Sequence, residues 1–195
     1  KRGDIGSTMK AYADAWLGSS SPLGTDSVTL SPYLGFESLR PALDLADEND
    51  RGTFVLALTS NPEGKSVQHV GASESGHSGE AGGAVAKRII AAATAENASR
   101  QWEQMGPCGL VVGATVGQAL VDLGIDLSVF NGPILSPGYG AQGASAADLY
   151  RVFAGVESQV LVNSSRGVLA AGPSVEGLAK AAQAARDDLL AARGA

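Results

Sequence analysis

The first eight residues, Lys1-Arg2-Gly3-Asp4-Ile5-Gly6-Ser7-Thr8, set an ammonium, a carboxylate three residues on and a hydroxyl four beyond that around two glycines. A lysine can donate a proton, a nearby carboxylate keeps that lysine charged, and a hydroxyl can hydrogen-bond a ligand. The glycines leave the segment free to bend around a small molecule. Two later stretches suit an anion. Pro137-Gly138-Tyr139-Gly140-Ala141-Gln142-Gly143 is a glycine-rich turn before a helical pattern, and Asn163-Ser164-Ser165-Arg166-Gly167 carries an arginine. Closely spaced glycines let backbone N–H groups approach a phosphate, and the helix that follows adds its positive end. Arg166 can grip two phosphate oxygens with a charge that does not titrate away.

These residues need a scaffold, and the hydrophobic pattern supplies one. Short apolar runs (Ser27–Leu30, Thr53–Thr59, Gly109–Gly113, Pro133–Ser136 and Gln159–Val162) alternate with stretches of helical period. Ile5, Met9, Tyr12 and Trp16 mark a first helix ending at Gly18, and Phe36, Leu39 and Leu43 a second. A long alanine-rich helix spans Val85–Trp102, shorter ones carry Val116–Leu123 and Leu149–Phe153, and a closing helix starts at Ser174. The Thr53–Thr59 run is apolar on both faces, as in a parallel strand covered on each side. Repeated strand–helix units predict an α/β fold with a parallel sheet, either an open doubly wound sheet or a closed (β/α)8 barrel. The candidate residues fall just after the strand ends Thr59, Ser136 and Val162, where barrels carry their sites, and this favours the barrel.

Charge and composition exclude several classes. The chain has 195 residues, a net charge of −6 and 44% hydrophobic residues, which suits one domain with its own core. An acidic surface argues against nucleic acid as a partner. No apolar run of ~18 residues and no leader pattern is present, which argues against a membrane. Cys108 is the only cysteine; it is read as a small buried thiol, and the lack of a possible disulfide suits a cytoplasmic protein. The Gly64–Gly83 segment is rich in Gly, Ser and His without periodicity and is read as a mobile loop. Its His69 and His77 lack further ligands at workable spacing, so they are read as solvated and no metal is expected.

The opening octet resembles the second half of the D-x-K-R-G-D-I-G-x-T signature of the orotidine 5'-phosphate decarboxylase family. Thr59-Ser60-Asn61-Pro62-Glu63-Gly64 and Ser31-Pro32-Tyr33-Leu34-Gly35 resemble loops of a bacterial branch of that family, and Pro137–Gly143 resembles its P-G-x-G-x-Q-G phosphate loop. The motifs occur in family order. The resemblance implies a (β/α)8 barrel in which the chain covers the end of strand 3 through strand 8 and the C-terminal helix. Residues 1–195 are then one domain, two-thirds to three-quarters of a barrel. A complete barrel usually takes ~250 residues, so two units and most of a third are expected upstream, with the signature's first aspartate and a lysine on the second strand.

The same resemblance implies decarboxylation of orotidine 5'-phosphate to uridine 5'-phosphate, a pyrimidine-biosynthetic step without cofactor. Lys1 is the implied proton donor and cation at the C6 carbanion. Asp4 and Thr8 would act in trans across a homodimer, Thr8 on a ribose hydroxyl. Ser60 would read the pyrimidine amide edge, while Pro137, Gln142, Ser165 and Arg166 would hold the phosphate. Helix capping is the plainer role open to Asp4 and Thr8, and it is compatible with catalysis. Two alternatives stay open: a Mg²⁺-dependent sugar-phosphate decarboxylase or aldolase of the same barrel superfamily, and an inactive phosphate-binding fragment.

Overall fold

The computed structural model describes residues 3–73 and 83–193. In chain order its elements are α1 (Gly6–Leu17), β1 (Ser27–Leu30), α2 (Arg40–Glu48) after a 3₁₀ turn, and β2 (Gly52–Leu58). Next come α3 (Lys65–Gln68), α4 (Val85–Ala98), β3 (Cys108–Val112), α5 (Gly117–Asp122) and β4 (Ile134–Pro137). Then follow α6 (Ala146–Val152), β5 (Val160–Asn163), α7 (Arg166–Leu169) and α8 (Val175–Arg193).

The five strands form one parallel sheet in the order β1-β2-β3-β4-β5. Each strand pairs with its successor, with no reversal. A doubly wound sheet reverses direction at a switch point; an arc of a barrel does not. The register sets Leu30 beside Val55, Leu58 beside Val112, Leu110 beside Ile134, and Pro137 beside Asn163. One slip, between Leu56 and Leu58, interrupts the β2–β3 ladder. Because every strand points the same way, all five C-terminal ends lie along one rim.

Burial follows from position in the sheet. Every residue of β3 is buried, and β2 buries Thr53, Phe54, Val55, Ala57 and Leu58. The edge strands are barer: in β5, Leu161 is 51% exposed. From α1 it is Met9, Ala13 and Leu17 that enter the core, one turn apart. The stripe expected from Ile5, Met9, Tyr12 and Trp16 is therefore shifted: Ile5 precedes the helix and Trp16 sits at its border with solvent. Each fully buried Leu or Met contributes roughly 1.5–3 kcal/mol.

The lower ends of the strands are closed by side chains. Asn97, buried at the end of α4, donates from Nδ2 to the Cys108 carbonyl (2.9 Å) and accepts the Cys108 N–H on Oδ1 (3.1 Å). Its amide thus pairs with the start of β3 as a neighbouring strand would. The helix stops at Ala98, four residues short of the expected Trp102, because Trp102 turns back. Its indole N–H donates to the Asn97 carbonyl (2.8 Å), and the Arg100 guanidinium lies 3.8 Å over the ring. Arg100 also pairs with Asp47 of α2. Cys108 is the inert buried thiol expected, since burial pushes its pKa up to about 12.

Candidate active site

The rim is assembled by backbone bonds between successive strand ends. Gly113 N–H donates to the Leu58 carbonyl (2.9 Å), and Ala114 N–H to the Pro137 carbonyl (2.8 Å). Pro137 pairs with Asn163, so the glycine loop and the Ser164–Gly167 stretch leave adjacent strands, as the sequence suggested. The opening motif joins the same rim. Gly3 lies against the Ser31 carbonyl just past β1, where a Cβ would overlap that oxygen. Only glycine allows this approach, and it brings Asp4 to the top of β1.

Lys1 lies outside the described residues, as does His77; His69 follows α3, half-buried. Asp4 is half-buried, and its Oδ1 accepts the Ile5 N–H (2.8 Å). Thr8 is exposed on the first turns of α1. Ile5 stands at the N-cap of α1 and no side chain caps the helix, so neither residue is used in capping. Ser60 is exposed and packs against Gly113, where an added Cβ would meet its N and Cβ at 3.3 and 3.4 Å. Gln142, Ser165 and Arg166 are exposed, and Pro137 ends β4 half-buried. Arg166 is the first residue of α7, a short helical turn. It forms no ion pair among the described residues.

The glycine loop differs from its expected form in one respect. Gly138, Gly140 and Gly143 all have positive φ, and the loop folds on itself. Gly140 N–H donates to Ala144 (2.8 Å), Gly143 N–H to Gly140 (2.8 Å), and Ala144 N–H to Gly138 (3.2 Å). Those N–H groups are spent within the loop. The next helix does not offer its positive end either. Ser145 and Asp148 form a reciprocal capping box there. The Ser145 hydroxyl and N–H, with Arg151, hold the Asp148 carboxyl below the usual carboxylate range. A negative charge at that helix start disfavours an anion there.

The sequence reading missed two supporting contacts. Tyr139 of the glycine loop donates from its hydroxyl to Asp188 Oδ2 of α8 (2.7 Å), and desolvation with this bond pushes the phenol up to about 12. Just past β2, Thr59 is held by Gln68 of α3. Neither partner carries a local signal: they stand 49 and nine residues from the groups they hold. A hollow of about 650 Å³ lies between α5 and α6, lined by Leu120, Asp126, Asp148 and Val152 among others. It gathers none of the expected site residues.

A model of the orotidine 5'-phosphate decarboxylase / HUMPS family matches residues 1–181. The chain is 52% identical over 183 residues to an orotidine 5'-phosphate decarboxylase of Streptomyces coelicolor, covering 93% of this chain and 61% of that protein. Its counterpart in Salinispora arenicola is 50% identical over 192 residues, covering 98% and 64%. A crystal structure from Streptomyces avermitilis, assigned by name to the same decarboxylase, superposes with a TM-score of 0.88 at 51% identity, covering all of this chain and 64% of its own. The Leishmania donovani OMP decarboxylase superposes at 0.67 with 27% identity, over 100% and 66%. The chain thus spans 61–64% of the length of its two bacterial relatives. Since the matched region runs through all five strands and the rim above them, the chain belongs to the orotidine 5'-phosphate decarboxylase / HUMPS family, whose (β/α)8 barrel is its fold.

Proposed function

We propose that this protein converts orotidine 5'-phosphate to uridine 5'-phosphate and carbon dioxide, without a metal or organic cofactor. The observation that carries the reading is the shared rim: the opening motif beside β1, Ser60 above β2, and the phosphate loops on the adjacent ends of β4 and β5. A phosphate held by Gln142 and Arg166, with Ser165 and Pro137 beside them, fixes one end of the nucleotide. Ser60 then reads the pyrimidine edge at the other. The bond from C6 to the carboxylate breaks, and its electron pair stays on C6. The Lys1 ammonium stabilises that charge and gives C6 its proton, so the amine recovers one from solvent. Asp4 and Thr8 reach the partner's site in a homodimer, Asp4 keeping the lysine charged.

The barrel is one domain in this reading, and the bare edges of β1 and β5 are where its remaining strands pair. Of the Gly64–Gly83 segment expected to be a mobile loop, the first residues take helical form in α3, and residues 74–82 lie outside the described residues. Among the described residues no helix is long and apolar enough to cross a membrane, which together with biosynthetic relatives supports a cytoplasmic enzyme. Relatives named for the decarboxylase favour this chemistry over a Mg²⁺-dependent sugar-phosphate reaction.

The test follows the ultraviolet change as orotidine 5'-phosphate is consumed by the whole protein in excess EDTA. Turnover that the chelator leaves untouched is expected. Turnover restored only by Mg²⁺, or nucleotide binding with no turnover, would overturn the proposal.

A further inference from the structure

We propose that Gln68 is the positioning residue for pyrimidine recognition, acting through Ser60, whose own contact with the base is the reading given above. The β2 ladder ends at Leu58, paired with Val112. Beyond it, the Thr59 N–H has no strand to meet, and Gln68 supplies the acceptor: Thr59 N–H donates to Oε1 at 2.9 Å. The same amide donates from Nε2 to Thr59 Oγ1 at 2.7 Å. That hydroxyl in turn donates to Asn61 Oδ1 (2.6 Å), and Asn61 Nδ2 donates to Glu63 Oε2 (3.2 Å). Ser66 closes the set by donating to the Glu63 carbonyl (2.7 Å).

The residues on both sides of Ser60 are therefore fixed, while the Ser60 hydroxyl makes no hydrogen bond among the described residues. A donor left unspent between two pinned neighbours is prepared for an external partner. Gly64 shows how tightly the set is drawn. A Cβ there would meet Thr59 Oγ1, Gln68 Nε2 and Asn61 Oδ1 at 3.0, 3.2 and 3.3 Å. Gln68 is half-buried on a four-residue helix and touches no strand ladder, so its bonds serve the loop and not the core.

Binding of uridine 5'-phosphate and of ribose 5-phosphate, which lacks the base, separates the roles. Gln68→Ala in the whole protein should weaken the nucleotide about tenfold and leave ribose 5-phosphate within roughly twofold, with thermal stability little changed. In a Ser60→Ala background the same change should add almost nothing, because one residue acts through the other. Gln68→Glu keeps the acceptor for the Thr59 N–H and should restore part of the loss. Gly64→Ala, which crowds the set without removing a bond, should shift the nucleotide alone. Equal weakening of both ligands, additive losses in the double variant, or intact nucleotide binding in Gln68→Ala beside a weakened Ser60→Ala would each overturn the proposal. If Ser60→Ala itself binds the nucleotide normally, the reading of Ser60 has failed, and the role of Gln68 falls with it.

Discussion

Arg166 stands at the start of α7 with its guanidinium unpaired among the described residues, and that bareness is informative. An arginine kept for packing would cover apolar surface or pair with a carboxylate, as Arg40 does in bridging Glu37 and Glu96. Arg166→Ala should lower kcat/KM roughly 100-fold, about 3 kcal/mol of charge-assisted bonding, and added guanidinium should restore part of it. A loss under about tenfold would remove Arg166 from the phosphate grip. Much of this rim was legible in the sequence because chemistry had left compositional marks on it. Glycine clusters, an arginine after an apolar run, and a carboxylate three residues from a lysine all stand out in a linear reading. Gln68 did not, since its meaning depends on β2 ending at Leu58 and leaving Thr59 without a strand partner. The competing use of the helix after the glycine loop was also hidden, although Ser145 and Asp148 lie at capping-box spacing and that signal was available.

The elements show which patterns survive folding. All five strands were readable to within about a residue, because an apolar run bounded by Gly or Pro has few other solutions in an α/β chain. Helix faces and ends were less so. In α1 the inward stripe is Met9, Ala13 and Leu17, and small Ala13 carries little weight in a reading guided by large side chains. The four-residue helices α3 and α7 are too short for any periodicity to appear. The bond from Tyr139 to Asp188 ties α8, which has no fully buried residue, to the glycine loop. Asp188→Asn should cost about 1 kcal/mol and raise hydrogen exchange along α8. The pH dependence has a definite sign. The phenol's pKa is raised in the fold, so the stability it lends is complete below about pH 10 and is lost as pH climbs toward 12. Wild type and Asp188→Asn should therefore converge in melting temperature across that window. Curves that stay parallel would show that the bond carries none of the docking.

For the whole molecule, the proposed arrangement in trans makes a prediction that no single-site scheme shares. A Lys1→Ala homodimer and an Asp4→Ala homodimer should each be nearly inactive. Mixed and allowed to exchange subunits, they should recover up to about a quarter of wild-type activity, because half the dimers are then hybrids with one intact site of two. No recovery after proven exchange would place Asp4 in its own subunit's site. Among the described residues the five-stranded arc leaves β1 and β5 with one strand neighbour each. At the opposite end from the rim, Asn97 stands in for a strand, and Trp102, Arg100 and Asp47 fasten around it. Those fastenings share no residue with the loops of the rim. An experimenter seeking a new phosphate ester could randomise the rim through many generations and draw on the same reserve of stability throughout. The lower face would act as the inherited chassis, and selection would be free to spend its changes on the chemistry alone.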